Sequence, residues 1–322
     1  MENRNRNIDV YRCLLMLEIC LLHSITQGGY VIRGLDNLLS PSVIGFFVIS
    51  GWFGIRFKPS RAFRLVAIAL IYAIFSTIVG CCIGYETKGV LSVLRGYWFV
   101  WAYLVVVLFS SLVQKCVEAI ESSKKETLTV LIPIILCVFI WGYCAKIPML
   151  CNVIPADSSF SPFSALTFIG AYSCVRICRA SGIFDALPRK YLWTAMIGSS
   201  LFVYGGLYHH NSPFAFLFAV SSFLLFADVR LPVPLKRCAS YIAPSVFAIY
   251  LYHSTDIGFR IIGILERYFV DNVGLPIVVN HFVTGILVFV CGLLIDSPRR
   301  LMCFVLHARL RAFYNVVDTG LK

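Results

Sequence analysis

Two side chains that could do chemistry share one face of the first apolar segment. His23 follows Arg12 by eleven positions. Eleven helical steps of about 100° return to within roughly 20° of the start, about 16 Å further along the axis. Ionisable groups inside a membrane-length helix are costly and by default mark a functional site that faces the bundle interior. The competing interpretations are a structural polar contact for His23 and, for Arg12, a cation that reaches the cytoplasmic surface.

Five other residues are candidates to line a pocket near this pair. Glu18 lies about 140° from the histidine of the pair around the same helix, so direct pairing is not expected, and its effect on the site stays open. Ser50 either shapes the site or permits close helix packing. Trp98 and Tyr103 are interpreted as part of an aromatic belt at the membrane interface. The alternative is that their rings stack on sugar rings. His253 either lines the pocket or is a hydrogen-bonded histidine in a packed helix.

The elements that position these residues are predicted to be membrane-spanning helices. The chain has 322 residues, 59% of them hydrophobic and 14% charged, with a mean hydropathy of +0.83. Several apolar runs approach the roughly 20 residues that cross a bilayer as a helix. We therefore predict an all-α polytopic transmembrane bundle that forms one domain over residues 1–322, with no appended soluble domain. Its ten spans are predicted near residues 8–28, 41–57, 63–84, 97–115, 127–145, 162–178, 190–207, 213–229, 242–263 and 276–296.

The distribution of basic residues predicts how these spans are oriented. With a cytoplasmic N-terminus, 22 of the 28 lysine and arginine residues fall in inner segments and six in outer ones. Both termini are then cytoplasmic, and the first span is expected to be retained because no small-residue cleavage site follows it. A basic rim that faces anionic lipid explains the net charge of +12, so nucleic acid is not an expected partner.

Other kinds of reactive site have little support in the sequence. Most of the thirteen cysteines lie within predicted spans, where they act as small hydrophobic residues, and none has zinc-ligand spacing. We therefore predict neither a metal site nor a redox role. The sequence contains no Gly-rich phosphate loop and no nucleophile elbow. His209 and His210 fall in a short outer loop and are expected to be solvated.

Four motifs, in order along the chain, resemble those of the acyltransferase-3 family, integral-membrane enzymes that acylate cell-surface carbohydrates. The first is Asn-Ile-Asp-x-x-Arg with ten residues between its arginine and a histidine, which resembles the family's first-helix signature at Arg12 and His23. The second is Phe-Phe-x-x-Ser-Gly at residues 46–51, followed by a basic turn that resembles Arg-x-x-Arg. The third is the aromatic run at residues 97–104, and the fourth is Tyr-Leu-x-His at residues 250–253.

The resemblance implies transfer of an acyl group, in the first instance acetyl, from cytosolic acyl-CoA to a hydroxyl of a glycan or lipid-linked saccharide at the inner membrane. It implies Arg12 and His23 as the functional residues, with His23 acting as general base or transient acyl carrier. Arg12, Arg61 and Arg64 are candidates to bind the donor's phosphates, because a guanidinium binds phosphate bidentately and keeps its charge. For Arg61 and Arg64, lipid contact is an equal alternative.

Two positions depart from the pattern of the family. Glu18 stands where the family usually has an apolar residue, and Ser254 follows His253 in place of the usual proline. The departures leave the order of the four motifs intact.

A rival interpretation from a different class is a carrier or flippase for a saccharide or anion. It would share the basic-rimmed membrane bundle but would have no reason to consume a thioester. Paired half-length broken helices or an inverted repeat would favour it, and neither is evident in the sequence. The expected partners are therefore acyl-CoA, a glycan or lipid-linked acceptor and membrane lipids.

Overall fold

The computed structural model describes residues 5–24, 30–85, 89–120, 124–136, 165–207 and 209–305. These residues form helices and connecting turns without any strand, which confirms the predicted all-α class. Single turns of 3₁₀ helix lie at Phe184–Ala186 and Ala243–Ser245. The α-helices are α1 (Asn7–His23), α2 (Tyr30–Leu39), α3 (Ser42–Phe53), α4 (Pro59–Cys82), α5 (Val90–Gly96), α6 (Trp98–Ile120), α7 (Lys124–Ile134), α8 (Ala165–Ala180), α9 (Arg189–Tyr204), α10 (Pro213–Ala227), α11 (Val233–Ile242), α12 (Val246–His253), α13 (Asp256–Asp271) and α14 (Ile277–Val305).

Four helical stretches among the described residues are long and apolar enough to cross a membrane. They are Arg33–Phe53, Pro59–Cys82, Trp98–Ala119 and Ile277–Val305. Aliphatic side chains cover their outer faces, as Ile78 (57% exposed) and Leu294 (67% exposed) illustrate. A long helix that presents such a face is matched to lipid rather than to water. The protein is therefore a helical membrane protein, while ten spans and cytoplasmic termini stay predictions.

Most predicted helices have counterparts in the structure within a few residues. The prediction near 97–115 corresponds to α6, that near 190–207 to α9, and that near 213–229 to α10. Parts of the spans predicted near 8–28, 127–145 and 162–178 lie outside the described residues. Pro213 begins α10, where a missing N–H leaves no hydrogen bond unmade.

The segment predicted as one span near residues 242–263 is divided into separate helices. α12 ends at His253 and α13 begins at Asp256. The Thr255 hydroxyl caps α13 by accepting the Gly258 N–H at 3.0 Å. A Cβ on Gly258 would lie 2.5 Å from the Tyr252 carbonyl oxygen, so α13 can return this closely over α12 because that residue is glycine.

α1 lies between several other helices rather than at the edge of the bundle. It contacts α2, α3, α10, α11, α12 and α14. Leu15 packs on Gly45 of α3 and Leu21 on Gly285 of α14, and a Cβ at either glycine would come within 2.8 Å of the leucine side chain. Nine of its seventeen residues are buried, Asp9 among them. The ionisable residues of α1 are thereby brought into the bundle.

Candidate active site

A pair of histidines joins the end of α1 to the end of α12. His23 Nδ1 lies 3.0 Å from His253 Nε2, and His253 Nδ1 lies 2.8 Å from the Ile249 carbonyl oxygen. The carbonyl can only accept a hydrogen bond, so His253 carries its proton on Nδ1 and, as a neutral ring, accepts with Nε2. His23 then donates from Nδ1. The arrangement leaves the lone pair of His23 on Nε2, the atom available to act as a base or nucleophile.

The histidine pair is flanked by aromatic side chains. His253 is fully buried, whereas His23 is partly accessible. The His23 ring lies 5.4 Å from the Phe259 ring, and the His253 ring lies 5.9 Å from that of Tyr250, measured between centroids. The break after α12 matters here because it brings Phe259 of α13 against the pair. Within the described ranges, no cluster of three or more His, Cys, Asp or Glu side chains is arranged to bind a metal ion.

His23 lines a cavity of about 290 Å³, called here the reaction cavity. Arg12 lines the same cavity, so the structure places the two residues predicted from helical periodicity around one space. Met16 and Ile19 lie between them on α1 and form part of the wall. The other lining residues come from several helices and turns: Val43, Phe46, Ile49, Ser50, Leu65, Trp98, Phe99, Tyr103, Ala243, Val246, Phe247 and Tyr250.

A second space of about 250 Å³, called here the arginine cavity, adjoins the reaction cavity. Arg12, Ser50 and Tyr103 line both, which makes the two spaces neighbours across shared side chains. Arg61 lines the arginine cavity, and its guanidinium donates to the Arg56 carbonyl at 3.3 Å. Arg64 is not among the residues that line either cavity. Two of the three arginines predicted to bind an anionic donor are therefore brought together.

Arg12 is held at the junction by a buried carboxylate. Its Nη1 lies 3.9 Å from Oδ1 of Asp9, one turn earlier on α1. Asp9 is buried and accepts a hydrogen bond from Ser240 Oγ at 2.9 Å. The Arg12 side chain is 39% exposed, so it remains accessible to an anion while one side is anchored.

Ser50 shapes the wall between the two cavities. Its hydroxyl donates to the Phe46 carbonyl at 2.8 Å, one turn back on α3. The Tyr103 hydroxyl lies 3.5 Å from it, at the limit of hydrogen bonding. Because the Ser50 proton is directed to a backbone carbonyl, Ser50 serves as a small wall residue in this arrangement.

Trp98 lines the reaction cavity from the start of α6. Its ring packs on Phe168 at 5.9 Å and on His210 at 6.1 Å between centroids. His210 is buried, so the prediction that it is solvated was wrong. A position at a loop tip in the sequence gave no sign that the ring packs inward.

Glu18 faces away from the reaction cavity. It lines a different space of about 200 Å³, called here the Glu18 cavity, between α1, α9 and α10. The Ser42 hydroxyl is its hydrogen-bond partner. The angular separation expected from the sequence thus places Glu18 and His23 on opposite sides of α1.

Several supporting groups were not singled out from the sequence. Asp9 precedes Arg12 by three positions, a spacing that brings helical side chains together and could have identified it. Tyr250 lines the reaction cavity, and its hydroxyl accepts the Phe99 N–H at 3.3 Å. The Ile249 carbonyl has no sequence signal at all, because it belongs to the backbone.

Fold and site together define a helical membrane protein with an internal histidine pair beside an arginine-lined cavity. The family described as Acyltransferase domain, Acyl_transf_3, matches residues 5–295. The chain belongs to this acyltransferase family, and the resemblance carried by the four motifs is confirmed. No curated protein and no solved structure matches the chain.

Proposed function

We propose that the protein is a multi-pass inner-membrane O-acyltransferase. It moves an acyl group, in the first instance acetyl, from cytosolic acyl-CoA to a hydroxyl of a cell-surface glycan or lipid-linked saccharide. The observation that carries the proposal is the bare Nε2 of His23 in a cavity that adjoins a second one lined by Arg12 and Arg61. Ten spans with both termini in the cytoplasm would place these arginines near the cytosolic surface.

The two cavities suit the shape of coenzyme A. The donor carries phosphates at one end of a flexible arm and the thioester at the other. Arg12 and Arg61 would bind the phosphates through charge-assisted hydrogen bonds, while the arm extends along Met16 and Ile19 toward His23. Arg64 is left out of this donor site because it lines neither cavity.

In the direct reaction, His23 Nε2 takes the proton of the acceptor hydroxyl while the hydroxyl oxygen bonds to the thioester carbonyl carbon. The carbon–sulfur bond breaks, and the coenzyme A thiolate receives the proton from His23. His253 is a positioning residue: its Nε2 accepts the Nδ1–H of His23 and stabilises the cation that forms in between. Every proton is accounted for, and His23 ends in its starting form.

In the two-step alternative, His23 Nε2 itself attacks the thioester carbon and the thiolate leaves. The acceptor hydroxyl then takes the acyl group from the ring, and its proton goes to the thiolate. Incubation with labelled acetyl-CoA in the absence of acceptor separates the routes. Label bound to His23 in purified protein supports the acyl carrier, and unlabelled protein supports the general base.

Native membranes provide the first test because they already contain the acceptor. Wild type, His23→Ala and His209→Ala at equal abundance receive acetyl-labelled coenzyme A, and the base-labile label in envelope material is measured. His209 lies outside both cavities and is the matched histidine control. We expect label with wild type and control, and background with His23→Ala. Full labelling with His23→Ala contradicts the mechanism, and no label from any of several acyl donors favours the carrier.

A further inference from the structure

The face of α1 opposite the reaction cavity carries a carboxyl group that acyl transfer does not use. Glu18, with Tyr11, Leu14 and Leu15, lines the Glu18 cavity. Over the described ranges no basic side chain pairs with its carboxyl group, and the hydrogen bond it makes is to Ser42. A carboxyl group within a membrane helix is costly unless its polar atoms are satisfied. The contact with Ser42 is therefore the interaction that satisfies this carboxyl group.

The Ser42 hydroxyl lies between two oxygens but has one proton. Its Oγ is 2.6 Å from the Leu39 carbonyl oxygen and is also within hydrogen-bonding distance of Glu18 Oε2. The Leu39 carbonyl can only accept a hydrogen bond, whereas a carboxyl group accepts when it is ionised and can donate when it is protonated. Both contacts are therefore full hydrogen bonds at the same time only if Glu18 is protonated and donates to Ser42 while Ser42 donates to Leu39. A neutral carboxyl also avoids placing an unpaired charge in the membrane.

This chain of hydrogen bonds joins three helices at one point. It runs from Glu18 of α1 through Ser42, the first residue of α3, to the carbonyl of Leu39, the last residue of α2. One turn away, Leu15 packs on Gly45, where a Cβ would lie 2.8 Å from its methyl groups. Two contacts one turn apart on each helix define how closely α1 and α3 approach.

The same two helices both line the reaction cavity. Met16 and Ile19 line it from α1, and Val43 and Phe46 line it from α3. Val43 directly follows the serine that Glu18 contacts. A change in the approach of α3 to α1 would therefore change the space in which the acyl group meets His23.

We propose that Glu18 is a positioning residue for acyl transfer. As a neutral hydrogen-bond donor, it holds Ser42 and so sets the separation of α1 and α3 beside His23, without touching the substrate. The inference rests on the proposed function, since its effect is on the geometry of that reaction. A misplacement of about 1 Å can lower a rate on the order of 100-fold.

Four variants test the role: Glu18→Gln, Glu18→Leu, Ser42→Ala and the double variant Glu18→Leu/Ser42→Ala. A glutamine amide donates to Ser42 as the protonated carboxyl does, so Glu18→Gln should keep kcat within about threefold of wild type. Glu18→Leu and Ser42→Ala should each lower kcat at least tenfold with the KM for the donor nearly unchanged, because the arginines are intact. The double variant should be no slower than the slower single variant.

Ser222→Ala is the matched control, because Ser222 lines the same cavity and bonds to Tyr11 of α1 rather than to α3. Its kcat should equal that of wild type. If Glu18→Gln loses as much activity as Glu18→Leu, a neutral donor is not sufficient at this position. That result would overturn the neutral-donor role and show that the charge of Glu18 is required. Wild-type kcat in Glu18→Leu or in Ser42→Ala would overturn positioning.

Melting temperatures of the same purified variants need no substrate and separate the two proposals. If the contact exists, the effects of Glu18→Leu and Ser42→Ala on melting temperature are not additive. A coupled pair in a wild-type protein that transfers no acyl group refutes the proposed function while the contact stands. If the wild type is active, the effects of Glu18→Leu and Ser42→Ala on melting temperature are additive, and both variants keep the wild-type kcat, the role of Glu18 is refuted while the proposed function stands.

Discussion

The two faces of α1 both carry ionisable residues, but these residues line different cavities and have different hydrogen-bond partners. The face with Arg12 and His23 lines a cavity that adjoins the arginine cavity, and its histidine is paired with a second imidazole. The face with Tyr11 and Glu18 lines the Glu18 cavity, where its polar groups bond to hydroxyls of α3 and α10. An ionisable residue in a helix inside the bundle can thus serve in two ways. Beside an accessible cavity it can react, and bonded to a neighbouring helix it can position.

The largest expected effect comes from removing the reactive atom on the first face. His23→Ala should lower acyl transfer on the order of 10² to 10⁴-fold, the range that a general base contributes. Radiolabel transfer in membranes at matched protein abundance measures it. A variant that retains more than a tenth of wild-type activity would remove His23 from the chemistry.

The next effect tests the partner imidazole. His253→Leu should lower kcat about 10- to 100-fold. In this variant His23 loses the acceptor that keeps its proton on Nδ1 and so keeps Nε2 free to act as a base. His253→Gln, whose amide oxygen can accept the same hydrogen bond, should recover part of the rate. Steady-state kinetics of the purified variants decide it, with melting temperatures to exclude misfolding. Equal rates for the two variants would show that the hydrogen bond is unimportant.

A third prediction separates the arginines. Arg12→Ala and Arg61→Ala should each raise the KM for acyl-CoA about 10- to 100-fold, the effect of losing a hydrogen bond to a charged phosphate. Arg64→Ala should change it less than threefold, because Arg64 lines neither cavity. Donor titrations at fixed acceptor concentration supply the comparison. Equal effects at Arg61 and Arg64 would point to a general basic surface instead of a defined site.

The smallest effect is expected at Tyr11, which lies on the opposite face of α1. Tyr11→Phe removes the hydrogen bond of 3.0 Å between its hydroxyl and Ser222, a loss of about 1 kcal/mol in the free energy of unfolding. The KM for acyl-CoA should stay at the wild-type value, since Tyr11 does not line the reaction cavity. Thermal unfolding and donor kinetics on one preparation test both statements. A raised donor KM would mean that this face of α1 affects donor binding.

Part of the candidate site follows from sequence periodicity. Helical geometry places Arg12 and His23 on one face and Glu18 on another, and the structure has all three there. Arg61 and Arg64 are indistinguishable in the sequence, because both are arginines of one basic turn. Only the packing of α4 against its neighbours determines that Arg61 reaches a cavity.

The sequence by itself determined the all-α class, the membrane setting, the family and the order of residues along α1. Each of these depends on composition or on local spacing, which a helix preserves. The tertiary structure alone decided that His23 meets His253, 230 positions away, that the Ile249 carbonyl orients the pair, and that Ser42 reaches Glu18. Such contacts depend on how separate helices pack, because side chains distant in the chain meet only after those helices are brought together.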